Sequence, residues 1–234
     1  MTEKTVFLNE ESYAGPLVVA RNPKIRRLRL RIDRKKRLPV LVLNNRILEK
    51  TGLEFAKKNA GWIGAQMSRL PEKKRFENAA ILPLFGQNVV IHHAPDAKRG
   101  VWLENGVLWV SGHEEHLPRR VADFIKDEMK KKAKARLAFY GGVLGARIGK
   151  LTIRDTKSRW GSCNVNGDVS LSWRLAFAPE NVMDYVIVHE LCHTFEMNHS
   201  DRFWKRVAAA FPDFETAEKW LKKNAAFLYG FSLD

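Results

Sequence analysis

Apolar and basic positions alternate between residues 24 and 37, which read KIRRLRLRIDRKKR. Leucine and isoleucine take every second place in the middle of this run, as in a strand with one buried face and one basic face. A second short apolar run follows at residues 39–43, and an amphipathic helix is predicted from Thr51 to the residue before Pro71. The pattern therefore predicts an N-terminal module of strands and a helix over residues 1–75.

The next stretch has the texture of strands and turns, followed by one long helix. Strands are predicted at residues 81–85, 88–92 and 101–110. Within the last of these, Asn105-Gly106 is a signal for a two-residue hairpin turn. An amphipathic helix is predicted from Leu117 to Tyr140, with a lysine-rich outer face at residues 130–136 and an end at Gly141-Gly142.

The last third is predicted to contain two strands, residues 151–163 and 169–177, and then three helices. The helices are expected from Asn181 to about Met197, from Ser200, and over residues 215–228. Mostly antiparallel strands before a helical C-terminal portion define the fold class as α+β. We expect residues 76–234 to form a catalytic domain, and a single continuous domain is the alternative.

Bulk composition limits the classes of protein to consider. The 234 residues are 45% hydrophobic and 29% charged, which is typical of a globular protein rather than a disordered one. No apolar run approaches the roughly 18 residues that a membrane-spanning helix needs. The first residues lack the order of a secretion signal, and two cysteines are too few for a disulfide framework. We expect a cytoplasmic protein.

The formal net charge of +15 favours an anionic partner, either a nucleic acid or a nucleotide. The basic positions concentrate in residues 24–37 and 130–136. For each of these two patches, a solvated face is the simpler interpretation.

The candidate chemistry lies in the pentapeptide His189-Glu190-Leu191-Cys192-His193. Residues four apart lie nearly above one another on an α-helix, so His189 and His193 can chelate one ion. Glu190 lies about 100° further round the helix, within reach of a water on that ion. The helix is largely apolar, so burying these groups without a metal would be costly. The alternative to a metal site is that the histidines lie at the surface on a solvated face. The pattern predicts a zinc site for hydrolysis, with Glu190 as the catalytic base.

Two residues compete to be the third metal ligand. His199 precedes Ser200, a natural helix start, so the chain can break after Met197 and fold His199 back to the ion. Glu196 is the rival, because it lies three residues after His193 on nearly the same helix face. We favour His199, since a third neutral imidazole leaves the ion more Lewis-acidic than a carboxylate would.

Several segments around these histidines together resemble the YgjP-like metallopeptidase family. They are KSRWGSC at 157–163, LSWRL at 171–175, YVIVHELCH at 185–193, NHS at 198–200 and FW at 203–204. That family is similar to the SprT-type and WLM proteases and to the wider zincins, so the resemblance implies a zincin-like catalytic domain. It also implies that His189, His193 and His199 are the zinc ligands and that Glu190 is the base. Glu196 stands where metzincins usually carry glycine, so His199 must reach the metal by a different route.

The expected reaction is peptide hydrolysis by a zinc-activated water, with Glu190 accepting its proton and passing it to the leaving amine. The strand at residues 169–177 is a candidate edge along which an extended peptide substrate could pair. Arg159, Arg174 and Tyr185 are candidates for steadying the oxyanion.

Two alternatives keep the metal and change the partner. A nucleotide or phosphoanhydride hydrolase would account better for the net charge, with four residues holding phosphates: Arg154, Lys157, Arg159 and Arg174. Against it, three histidines suit zinc, whereas phosphate chemistry usually recruits magnesium through carboxylates. A DNA-associated protease, suggested by analogy with the SprT-like and WLM relatives, would contact nucleic acid through the two basic patches.

Overall fold

A computed structural model describes residues 3–33, 36–70, 72–156 and 158–232. Backbone contacts divide the chain into two compact units, Met1–Pro71 and Glu72–Asp234. The fold is α+β, as predicted, and the described residues form three sheets and six α-helices. Each sheet contains one parallel pair of strands, and its other pairs are antiparallel. No helix in the described ranges has both the length and the apolarity that a membrane crossing requires.

The first unit is a four-stranded sheet with two helices against one face. Its strands, in the order β1-β2-β4-β3, are β1 (Glu3–Glu10), β2 (Tyr13–Arg21), β3 (Arg29–Asp33) and β4 (Leu38–Leu43). The helix predicted from Thr51 begins earlier and is interrupted at Asn59, giving α1 (Glu49–Lys58) and α2 (Ala60–Ser68). The predicted stop at Pro71 lies outside the described residues. The hairpin of β1 and β2 was not predicted from the sequence.

Alternation along the strands of the first unit gives each face of its sheet a separate apolar layer. Leu17, Val19, Leu41 and Leu43 pack with Ala56 and Ile63 of the two helices. Their neighbours Val18, Ala20, Val40 and Val42 form a second buried cluster on the opposite face. Arg29 and Arg31 of β3 pair with Val42 and Val40, so both arginines lie on this second face.

The second unit begins with another four-stranded sheet and the long helix. The strands β5 (Ile81–Leu84), β6 (Gln87–His93), β7 (Val101–Glu104) and β8 (Val107–Val110) are arranged in the order β5-β6-β8-β7. Asn105 and Gly106 both have positive φ angles, 50° and 76°, so the predicted hairpin turn is present between β7 and β8.

The long helix α3 spans Leu117–Leu144 and continues through the two glycines that were predicted to end it. Gly141 is buried, and a Cβ at this position would lie 2.3 Å from Cδ1 of Ile148. The glycine therefore allows Ile148 to pack closely against the helix. The helix ends instead at Gly145, whose left-handed φ of 63° is typical of a helix C-terminus.

The remaining elements are a three-stranded sheet and three helices, and two of the predicted strands are wrong in extent. The segment 151–163 forms two strands, β9 (Leu151–Arg154) and β10 (Gly161–Cys163), separated by a loop. The strand predicted at 169–177 is shorter in the structure, where β11 spans Val169–Ser172. The buried residues that follow, Trp173–Phe177, form a 3₁₀ turn. The helices are α4 (Glu180–Cys192), α5 (Asp201–Ala210) and α6 (Phe214–Gly230).

Helices α3 and α4 are joined by a partly buried ion pair in the second unit. Arg136 was predicted on the outer face of α3, but its Nε and Nη2 donate to the two carboxylate oxygens of Asp184 at 2.7 and 2.6 Å. The bidentate geometry and the hydrogen bonds to Asp184 raise the pKa of Arg136 further above its usual range. This contact fixes the helix that carries the candidate site against the longest helix of the molecule.

Candidate metal centre and its cleft

Helix α4 carries the first two histidines and is apolar around most of its circumference. Its residues from Val182 to Val188 are all buried, so the helix is held by packing on several sides. The helix ends at Cys192, earlier than the predicted end near Met197, with His193 as its C-terminal cap. The next amides bond three residues back, since the N–H of Thr194 donates to the carbonyl of Leu191 at 3.0 Å.

The structure brings together the three histidines that the sequence singled out. Nε2 of His199 lies 3.0 Å from Nε2 of His189, and one ring nitrogen from each of the three residues falls within a 4.8 Å cluster. The ring of Phe203 on α5 packs against all three imidazoles, with centroid separations of 4.9 Å to His189, 4.8 Å to His193 and 4.8 Å to His199. The side chain of Phe203 is fully buried and provides the floor of the cluster.

A tight turn after α4 returns the chain to the cluster without a glycine. Nδ1 of His193 donates to the carbonyl of Glu196 at 3.0 Å, which leaves Nε2 as the ring nitrogen of His193 that can bind a metal. The carboxylate of Glu196, the rival third ligand, is instead 3.2 Å from Nε of Arg202 on α5. Ser200 then caps α5 by accepting from the amide of Phe203 at 3.4 Å, so His199 is held just before a helix start.

The electrostatics of the cluster suit a cation held by neutral imidazoles. Burial, with smaller contributions from His193 and His199, lowers the pKa of His189 to about 4. Burial also lowers the pKa of His193. The Nδ1 of His189 is buried and has no hydrogen-bond partner within the described residues. Three imidazole nitrogens converging from two sides match the ligand set that zinc prefers in catalytic sites.

The carboxylate of Glu190 lies on the neighbouring face of α4 and is almost completely enclosed. Burial raises its pKa to about 7, and the positive charge of Arg159 opposes that shift. A Cβ on Gly161 of β10 would lie 2.5 Å from Oε1 and 2.6 Å from Cγ of Glu190. The strand backbone therefore approaches the carboxylate more closely than any other residue type would allow.

A cleft of about 720 Å³ opens over the histidines and Glu190. One wall is the start of β10 with Trp160, and the opposite wall is α6, which contributes Glu218, Leu221, Lys222 and Ala225. Trp160 stacks on Tyr229 of α6 at 4.6 Å, and this contact joins the two walls at one end. The sequence pattern gave no signal for the contribution of α6, because its periodicity is that of any amphipathic helix.

Of the three residues predicted to steady the oxyanion, two line the cleft and one does not. Arg159 and Tyr185 line the cleft. Arg174 does not, because its buried guanidinium bonds to Asp155 and its Nε donates to the carbonyl of Phe231 at 2.9 Å. The prediction that Arg174 contacts the oxyanion or a phosphate is therefore wrong.

Two further predicted phosphate contacts do not reach the cleft in the structure. Arg154 is exposed on β9, which is separated from β10 by the central strand β11. Lys157 lies outside the described residues. Of the four predicted phosphate contacts, Arg159 is the one that the described part of the cleft contains.

The class of protein follows from comparison with known families. A family model described as "YgjP-like, metallopeptidase domain" matches residues 26–224. The protein is thus a hydrolase of the metallopeptidase class, for which a divalent metal and a peptide or protein substrate are implied. The chain belongs to the YgjP-like metallopeptidase family, which confirms the resemblance seen in the sequence.

Individual proteins add less than the family does. A comparison with curated proteins gives no match. Among solved structures, the crystal structure of the metallopeptidase zymogen of Pyrococcus abyssi abylysin is similar to this chain at 26% sequence identity. The match covers 39% of this chain and 93% of that one, with a TM-score of 0.36.

Proposed function

We propose that this metallopeptidase is a zinc enzyme in which His189, His193 and His199 hold the ion and Glu190 is the general base. The observation that supports this proposal is that three imidazole nitrogens converge close to Glu190, a buried carboxylate on the helix that also carries His189. The proposed ligand set has no carboxylate, because that of Glu196 lies outside the cluster of three histidines and is paired with Arg202. When bound at such a site, zinc makes a water acidic near neutral pH and polarises a carbonyl group.

Glu190 has the properties that proton transfer requires at neutral pH. A carboxylate with a pKa of about 7 takes up and releases a proton near the working pH, which is the condition for efficient general acid–base catalysis. In the proposed cycle Glu190 accepts a proton from the attacking water and later donates it to the leaving amine. Tyr185, whose hydroxyl pKa is raised by burial, and Arg159 are the cleft residues proposed to steady the developing negative charge.

The peptide is proposed to pair along β10 rather than along the strand named from the sequence. β11 is the central strand of its sheet and bonds to β10 on one side and to β9 on the other. β10 is an edge strand and runs past Glu190, so its outer edge supports pairing with an extended substrate at the place of reaction. Trp160, Leu221 and Ala225 would then enclose an apolar side chain of that substrate.

Metal analysis and kinetics of matched variants test the proposal. Purified wild-type protein should carry about one zinc per chain, as expected for a single three-ligand site, and His199→Ala should lose most of it. Glu196→Ala should keep its zinc, and His116→Ala, a histidine outside the cleft, should behave as wild type. Glu190→Gln should keep zinc while losing at least about a hundredfold in kcat on an unstructured peptide. Loss of zinc in Glu196→Ala but not in His199→Ala would transfer the third ligand to Glu196.

A further inference from the structure

The positive charge of the chain is concentrated in its first unit. Residues 1–71 hold 16 of the 41 lysines and arginines but only 6 of the 26 acidic residues, so they carry +10 of the net +15. Segment 24–37 alone contains nine basic residues and one acidic residue. The second unit is more than twice as long and is closer to neutral. An excess confined in this way needs a local explanation, which general solubility does not supply.

Four cations in this segment are exposed and lack a carboxylate partner among the described residues: Lys24, Arg26, Arg27 and Arg29. We call these four residues the basic surface. The lysine-rich face of α3 is different, because Lys131 pairs with Glu128 at 2.7 Å and Lys132 pairs with Glu180. Three of the five cations at positions 130–136 of α3 are therefore paired, since Arg136 binds Asp184, whereas none of the four cations of the basic surface has such a partner among the described residues.

The backbone that carries the basic surface is fixed. Ile25 packs on the buried cluster of the second sheet face, and its carbonyl accepts from Nδ2 of Asn44 at 2.6 Å. The amide of Asn22 donates to the carbonyl of Leu43 at 2.9 Å. Arg29 begins β3, an edge strand with ladder bonds to β4 on one side. The guanidinium groups thus project from an ordered frame, which lowers the entropy lost when they bind an anion.

We propose that the basic surface binds the phosphate backbone of a nucleic acid duplex without sequence preference. Arginine is suited to phosphate because its planar fork donates two parallel hydrogen bonds. Val40 and Val42 are buried beside the basic surface, and Ile25, Leu28 and Leu30 pack against the two apolar clusters, so these residues offer no apolar wedge of the kind that membrane insertion would require. Residues 24–37 contain no aromatic side chain for base stacking, which favours a duplex over a single strand. The proposal is independent of the metal site.

Binding to a fluorescently labelled 20-base-pair DNA duplex, followed by anisotropy, tests the proposal. Four phosphate contacts predict that the logarithm of the binding constant falls with the logarithm of salt concentration with a slope of about −3.5. The triple variant Arg26→Ala/Arg27→Ala/Arg29→Ala should bind at least tenfold more weakly at 50 mM salt, with a slope near −1. The matched control Lys130→Ala/Lys131→Ala/Lys134→Ala removes the same charge from α3 and should change affinity by less than about twofold.

Single variants and competing ligands make the result decisive. Arg27→Ala and Arg29→Ala should each reduce the slope by about one, with zinc content and the unfolding midpoint unchanged. Equal losses in the two triple variants would mean that net charge, not this surface, drives binding. Absence of duplex binding by the wild type at 50 mM salt would overturn the proposal. So would binding to vesicles of phosphatidylcholine and phosphatidylserine without binding to the duplex.

Discussion

Replacing Gly161 by alanine should displace Glu190 and impair catalysis while leaving the three proposed metal ligands in place. The added Cβ would lie 2.5 Å from Oε1, 2.6 Å from Cγ and 2.8 Å from Cδ of Glu190. Ordinary contacts between such atoms begin near 3.4 Å, so the carboxylate and the strand must separate by about 1 Å. A shift of 1 Å in a reacting group costs about a hundredfold in rate, and overpacking of this kind costs about 1–3 kcal/mol of stability.

The assay for Gly161→Ala compares kcat, zinc content and thermal unfolding in the same preparations. We expect kcat on an unstructured peptide to fall about a hundredfold, with zinc retained because the three atoms nearest to the added Cβ all belong to Glu190. Gly142→Ala is the matched control, since a Cβ there meets no atom within 4 Å and alanine is the better helix former. Shortening the base in Gly161→Ala/Glu190→Asp should cost less than the two single changes predict together. Wild-type kcat in Gly161→Ala would refute the reasoning.

Two further predictions concern stability. In metal-free protein the pKa of Glu190 is raised to about 7, so the folded state keeps a proton that the unfolded state releases above about pH 4.5. The contribution of this proton to the free energy of unfolding is therefore lost as the pH rises from 4.5 to 7. Urea unfolding in chelator should therefore show Glu190→Gln gaining about 3 kcal/mol on wild type between pH 4.5 and 7.5, and a constant difference would contradict the burial of the carboxylate. Asp184→Ala should lower the unfolding free energy by about 2–4 kcal/mol, because Arg136 loses its partner in a partly buried place. Adding Arg136→Ala should recover part of that loss, which a double-mutant cycle measures.

The sequence predicted the parts of the molecule that depend on local spacing. The positions of His189 and His193 on one face of α4 follow from helix geometry alone, and the turn at Asn105-Gly106 follows from its residue types. The α+β fold class followed from the order of the predicted strands and helices. The location of His199 beside these residues was predicted from a helix start at Ser200, and its role as a ligand stays a prediction.

The errors arose where long-range packing decides the structure. Gly141 reads as a helix end, but Ile148 from further along the chain packs against it and the helix continues. Arg174 alternates with apolar residues as an outward strand residue would, yet Asp155 and the carbonyl of Phe231 draw it into the core. The cleft wall formed by α6 depends on how that helix packs against α4. The spacing of apolar residues within α6 does not predict which element it packs against.

The aromatic core of the second unit affects when this unit can fold during synthesis. Phe76, near the start of this unit, stacks on Phe231 near its end at 6.3 Å, and Phe177 stacks on Phe231 at 3.7 Å. The amide of Lys74 donates to the carbonyl of Gly230 at 2.9 Å, so the two ends of the unit are also joined through the backbone. Contacts between such distant segments form slowly, because a long loop must close before they add stability. The ribosome must therefore deliver α6 before this core can close, whereas the first unit has all its strands and helices much earlier in synthesis.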